Sequence, residues 1–394
     1  MAISFAVLLA TTAACSNAAK GGDNGAAGPN GSPTTTAASD GSGAQITSSI
    51  AAGAKHVKIN RSVRLDVSDG AFTSVSLSSK TGEVAGTLSG DKTSWQSTGR
   101  LQPGVTYTVR GAANDAKGKE AVYSSRFHTQ ALALDHQTFP SFFPTEGATV
   151  GVGLPVIIHF DVPVTDHASF QKHITVTSKP AQAGGFHWIS DTELHWRPAK
   201  YWKAGTQVTV NADVDSVPAG NGVYGQKSRT NHFTIGRSQV LKVNTKTDQM
   251  KVVRDGKVIR TLPVTTGQQP EFTTRSGIKV IIEKDRRHDM NSETIGIDPN
   301  GPNGYNLKGV EFAMRLTYSG EFLHAAPWSV ASQGHSNVSH GCTGMSTANA
   351  GWLYNSSMIG DPVEYTGTDK PMTLSNGIGD WNLPFKEYAQ SAGL

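Results

Sequence analysis

Three imidazoles and one thiol fall close together near the C-terminus. His324 lies in "EFLHAAPWS", His335 and His340 lie in "GHSNVSHGC", and Cys342 ends that second stretch. A thiol at its ordinary pKa is only slightly ionised at neutral pH. An imidazole within reach takes its proton and leaves a thiolate that attacks carbonyl carbon. Gly341 has no side chain, so backbone there approaches a substrate oxygen closely. The amides of His340, Gly341 and Cys342 are candidates to face a developing oxyanion. Two other readings compete. Zinc accepts His and Cys, but His335-x4-His340-x-Cys342 matches none of its common spacings, and that run holds no acidic residue. A buried cysteine among solvent histidines is the bland option, yet a Ser-His-Gly-Cys run in a glycine-rich turn ahead of a helix is poor core filler. The nucleophile is favoured, with no metal and no cofactor.

The elements that position these residues are readable around them. "GEFLHA" is a strand ending in a polar turn and carries His324. "STANAGWLYNSSM" (346–358) is a short helix with Ser346 or Thr347 as N-cap. Residues 239–267 read as strand, turn, strand, turn, strand, with Asp255-Gly256 a strong hairpin signal. Residues 287–309 are rich in Gly, Asn and Pro without periodicity, which predicts a long functional lid. The strand "DPVEYTG" follows the helix, and Trp381 and Phe385 dock the tail onto the body.

Upstream, short runs alternate polar and apolar, as in "VTYTVRG" (105–111) and "TQVTVNADV" (206–214), and turn residues separate them. Period-two patterning rich in Val, Ile, Thr and Tyr predicts strands. A weak repeat relates "LQPGVTYTV" (101–109) to "YWKAGTQVTV" (201–210), and "SSRFHTQ" (124–130) to "TNHFTIG" (230–236). The offset of about 100 residues is the size of one immunoglobulin-like sandwich. The expected fold is mainly β: two tandem immunoglobulin-like β-sandwiches, 51–132 and 133–236, then a catalytic β domain, 237–366, with a lid loop and one short helix, and a docked tail, 367–394. Trp188, Trp196 and Trp202 read as core packing rather than a sugar platform. His159, His187 and His195 read as structural, and His335 as solvent-exposed.

Composition narrows the class. The 394 residues are 37% hydrophobic and 17% charged, which excludes a disordered or membrane-embedded chain. A net charge of +4 with no basic run excludes nucleic acid as partner and suits an anionic neighbour such as a cell wall polymer. Ile3–Ala10 is too short to span a bilayer and reads as the apolar part of a secretory signal. Cys15 directly after Thr12-Ala13-Ala14 resembles a bacterial lipoprotein cleavage site, which implies a lipid on Cys15 and a membrane anchor in segment 1–15; a plain secreted protein with an incidental cysteine is the alternative. Segment 16–50 lacks large apolar residues and reads as a flexible tether with a reach of roughly 30–35 Å.

"FLHAAPWS" followed by "SNVSHGC" resembles the catalytic motif of the bacterial L,D-transpeptidases, in particular the actinobacterial lipid-anchored members with two immunoglobulin-like domains ahead of the catalytic one. "GATVGVGLPV", "NGPNGY", "YSGEFLHAAPWSV" and "GDWNLPF" extend the likeness over about 133–390. The resemblance implies Cys342 as nucleophile and His324 as base, oriented by the main-chain carbonyl of Ala325. It implies that His340 and Gly341 shape the oxyanion site, that Tyr305 belongs to the substrate lid, and that Ser319 and Gly320 line the pocket. The chain departs from the family at Thr343 and Gly344, where an apolar residue and then Asn are usual, so an asparagine contact to substrate is missing. The implied reaction is a 3→3 cross-link between peptidoglycan stem peptides through a cysteine thioester, with release of D-alanine. Carbapenems and other β-lactams are the implied covalent inhibitors. An L,D-carboxypeptidase or a protein-to-wall attachment enzyme would use the same nucleophile, and a non-catalytic wall-binding lipoprotein would not use it.

Overall fold

The computed structural model describes residues 35–37 and 41–390. Its strands gather into stacked sheets along the chain. In the first unit, Gln45–Ser48, Arg64–Ser68, Ser94–Ser97 and Gly86–Leu88 form one sheet, edged by Thr35–Ala37. Gly70–Ser79, Thr106–Asp115 and Glu120–His128 form the facing one. Alternation drives the pairing: Glu120–His128 buries every second residue, and Leu65, Phe72, Tyr107, Val109, Tyr123 and Phe127 fill the space between. The tether is shorter than the sequence suggests. Ile46 and Ile50 are buried in this core, so the chain is folded from Gln45 onward. Two isoleucines in a polar stretch carry too little periodicity to reveal a strand that its partner Arg64–Ser68 completes.

The second unit repeats the scheme. Pro140–Phe143, Val156–Phe160, Glu193–Pro198 and Gly184–Ser190 face Thr149–Val150, Arg229–Ile235, Gln207–Ala212 and Ile174–Lys179. The internal repeat is structural. Gly104 and Gly205 both take positive φ, at 67° and 75°. Each N–H donates to a carbonyl at or just past the end of the last long strand, Gln130 O at 2.8 Å and Ile235 O at 2.9 Å. Only glycine enters that turn without strain. Trp188, Trp196 and Trp202 are all buried, and the last two rings lie 5.3 Å apart, so they are core.

The third unit holds two sheets. One runs Lys257–Pro263, Gln249–Arg254, Gln239–Asn244, Pro362–Thr366, Gly277–Val280. The other runs Glu283–Asn291, Asn306–Arg315, Phe322–Ala325, Thr343–Met345. Leu241, Met250, Val252, Met314, Leu323 and Met345 interdigitate between them. The helix Thr347–Ser356 packs on this core, capped by Ser346, whose side chain accepts the Asn349 N–H. The predicted lid is the tip of a hairpin. Residues 287–291 and 306–309 are strand, and only 292–305 lie between. The strand Glu283–Asn291 shows no apolar alternation because just Met290 on it is buried. Ladder bonds and cross-strand charge hold it instead, including Arg315 Nε on Glu283 at 2.8 Å.

Candidate active site

Phe322–Ala325 and Thr343–Met345 pair in parallel, with His324 opposite Gly344. Cys342 immediately precedes the second strand, so the register alone brings the thiol next to the histidine's strand. His324 and Cys342 line one cavity of about 310 Å³, and both side chains are buried. The exposed Trp328 and Val338 and the less exposed Tyr305 and Met290 also line it. A smaller cavity of about 100 Å³ also reaches Cys342 and is lined by His288, Arg315, Gly320 and Phe322. Tyr305, Met290 and Cys342 belong to both.

The resting pair is neutral. Burial pushes the Cys342 thiol up to about 11, and the nearby Glu321 charge adds to this, while a main-chain bond from Phe322, Lys279 and Arg315 oppose it. The thiol donates to Gly320 O at 3.4 Å. Burial also lowers the pKa of His324. Its Nδ1 lies 2.8 Å from Ala325 O. A carbonyl only accepts, so Nδ1 carries the hydrogen and Nε2 is left as the basic nitrogen. A neutral thiol and a neutral imidazole thus line one cavity.

The other expected residues fall in several places. Tyr305 is in both cavities, its ring centre 5.0 Å from that of His340, and burial pushes its hydroxyl up to about 12. His340 lines the larger cavity and packs on Phe272 at 4.3 Å. The Gly341 amide, expected among the oxyanion donors, is taken: it donates to Ser339 Oγ at 3.1 Å. Ser339 Oγ in turn donates to Cys342 O at 2.6 Å, and Thr274 donates to Gly341 O at 2.8 Å. These bonds build the nucleophile turn, with Gly341 at φ 124°, and the amides of His340 and Cys342 stay as the candidates. Ser319 is exposed, its hydroxyl engaged by Arg275 and Asn376, and it lines neither cavity. Gly320 lines the smaller one. Gly344 lies behind the wall. A Cβ on it would stand 2.8 Å from that of Ala326, so the usual asparagine has no room here.

Sequence reading missed Ser339, Trp328, Met290 and Arg315. Trp328 was legible in "APWS": its ring stacks 5.9 Å from that of His324. Cys15 lies outside the described residues, and His335 is exposed. Glu283, Asp285 and His288 bring one ligand atom each within 4.8 Å of one another. His288 bonds Asp285 at 2.7 Å and Arg315 bonds Glu283, so each carboxylate already has a partner within the protein.

Residues 54–218 match the family described as bacterial Ig domain, and residues 238–364 the family described as L,D-transpeptidase catalytic domain. L,D-transpeptidase 2 of Mycobacterium tuberculosis is 35% identical over 87% of this chain and 84% of its own. L,D-transpeptidase 5 of the same organism is 36% identical over 84% of this chain and 73% of its own. Among solved structures, LD transpeptidase LdtMt1 in complex with imipenem superposes with a TM-score of 0.51 at 35% identity, over 57% of this chain and 97% of its own.

Proposed function

Since the chain belongs to the L,D-transpeptidases, enzymes of the acyltransferase type, we propose that it forms 3→3 cross-links in peptidoglycan through a thioester on Cys342. The observation that carries this reading is the neutral imidazole of His324, its tautomer fixed by Ala325 O, on the cavity that also holds the thiol. Nε2 takes the Cys342 proton as sulfur attacks the carbonyl of the third stem residue, a diamino acid. The carbonyl oxygen becomes an oxyanion beside the amides of His340 and Cys342. The bond to D-alanine breaks, Nε2 returns the proton to the leaving amine, and a thioester remains. The side-chain amine of a second stem then attacks, gives its proton to Nε2, and restores the thiol. Two cavities that share Cys342 in their lining suit a donor and an acceptor stem. The hairpin tip 292–305, with Tyr305 at its end, covers the thioester and favours amine over water.

Purified tetrapeptide stems test the reaction. The expected products are cross-linked dimer and D-alanine; free tripeptide without dimer would make the enzyme an L,D-carboxypeptidase. The solved relative holds imipenem, and we expect imipenem to add its mass to this chain but not to Cys342→Ala. The leader 1–15 supports placing the enzyme outside the cytoplasm, held at the membrane by a lipid on Cys15. Labelled fatty acid incorporated by the native protein and by Cys15→Ala alike would overturn that placement.

A further inference from the structure

Directly behind the nucleophile lies a buried charge pair that the reaction above leaves unused. Lys279, on Gly277–Val280, is fully buried, and its Nζ lies 2.7 Å from Glu321 Oε2. The ammonium stands 3.8 Å from the centre of the Tyr365 ring. The Tyr365 hydroxyl is 2.6 Å from Thr343 Oγ1, one residue past Cys342. The other Glu321 oxygen accepts the Arg275 N–H at 2.9 Å. Thr274, next to Arg275, is the residue that bonds Gly341 O. Glu321 follows Gly320, the thiol's acceptor, and its Cγ lies 3.8 Å from where a Cβ on Gly341 would stand. The pair is thus tied to the segments that hold the sulfur from below.

Two charges taken out of water recover their desolvation cost poorly, and apolar residues of similar volume are often as stable or more so. Stability is therefore a weak reason for this pair, whereas its location supplies a stronger one. We propose that Lys279 and Glu321 form a positioning pair for Cys342, fixing the Gly320 carbonyl and the Gly341 turn and balancing the charge next to the sulfur. This rests on Cys342 being the acyl carrier. The other ionisable groups around the pair and the sulfur are Arg275, whose guanidinium stands 3.4 Å from Glu321 Oε1, Arg315, Tyr365 and, across the cavities, Tyr305, His288, His324 and His340. Burial brings Lys279 down to about 8 against the pull of Glu321. Above that pH the ammonium loses its proton, and Glu321 keeps only the partly exposed Arg275 guanidinium as a cation, near a group that must become an anion.

The test follows imipenem acylation by intact mass from about pH 6 to 9.5, with melting temperatures, on the full chain and on Lys279→Met/Glu321→Leu. The double variant is expected to melt at or above the wild type, acylate about tenfold more slowly, and lack the wild-type decline in rate above about pH 8. Wild-type rate and pH profile in the double variant would overturn the proposal and make the pair structural only. Should the double variant melt far below wild type, Glu321→Asp carries the test, since it keeps the charge and shortens the reach. Slower acylation at wild-type melting temperature supports the pair's role, and an unchanged rate overturns it. A wild type that forms no adduct removes the acyl-carrier reading itself; an acylating wild type with unaffected variants removes only the pair.

Discussion

Cys342 and His324 are neutral in the resting site because both are buried, the thiol held above and the imidazole below its ordinary range. A histidine with a lowered pKa stays basic to lower pH, because its charged form is the one that burial disfavours. The acid limb of imipenem acylation is therefore expected below about pH 6.5, the ordinary histidine value. His324→Gln is expected to slow acylation by about 100-fold to 10,000-fold, the usual span of a lost general base, read by stopped-flow or intact mass. Gly344 makes a different kind of prediction. A side chain there meets the Cβ of Ala326, which has no freedom to move aside. Gly344→Asn, which restores the common family residue, is expected to cost about 1–3 kcal/mol by overpacking, measured by denaturant unfolding, without improving donor use.

Among the elements, the hairpin Glu283–Asn291 and Asn306–Arg315 lends Met290 and Leu307 to the cavity that holds the thiol. Its tip is internally built: Asn291 caps the turn Ser292–Ile295, and Ser292 Oγ accepts the Tyr305 N–H at 3.1 Å. One side-chain bond reaches from the tip to the loop beneath, Asn303 Nδ2 to Glu271 Oε1 at 3.0 Å, and it is exposed. Such a bond latches a cover weakly, since water competes for both groups. Asn303→Ala is expected to shorten the lifetime of the imipenem adduct by about two- to fivefold through easier opening, followed by mass spectrometry after removal of free drug. The strand Glu283–Asn291 escaped sequence reading because it lacks a buried apolar face. Charge pairs hold it where a buried apolar face would hold an ordinary strand.

The whole molecule joins its catalytic unit to the second sandwich on two fronts. Gly151 and Gly153 donate to Ile359 O and Gly360 O at 2.7 and 2.8 Å, and Arg237 clamps the buried Asp361. The tail forms the other front. Trp381 Nε1 donates to Gly153 O at 2.7 Å, and Arg197 lies over the rings of Trp381 and Tyr388. Beneath them His195 sits between Asp380 and Glu193, at 2.8 and 2.7 Å. Burial pulls its pKa down, but the two carboxylates outweigh this and raise it to about 9. A raised histidine contributes stability that is complete below its unfolded pKa of about 6.5 and is lost as pH rises through about 9. The wild type should therefore lose stability on the order of 3 kcal/mol across that window, with the tail loosening. His195→Phe should start lower and lack the slope, as melting temperatures across the window would show.

Residue chemistry and local backbone preference were legible in the sequence. They gave Cys342 and His324 as candidates, the Ser346 cap, the Asp-Gly hairpin, the repeated turn at Gly104 and Gly205, and the mainly β fold, because each is written in short runs of neighbouring residues. Tertiary structure alone decided that Gly344 has no room for a side chain and that Ile46 belongs to a core. It also decided that the thiol and imidazole rest neutral, that Lys279 meets Glu321 behind them, and that Asp380 meets His195. Those outcomes depend on which distant segments exclude water from a group and which charges they bring to it, and no local pattern encodes the desolvation of one residue by another far along the chain.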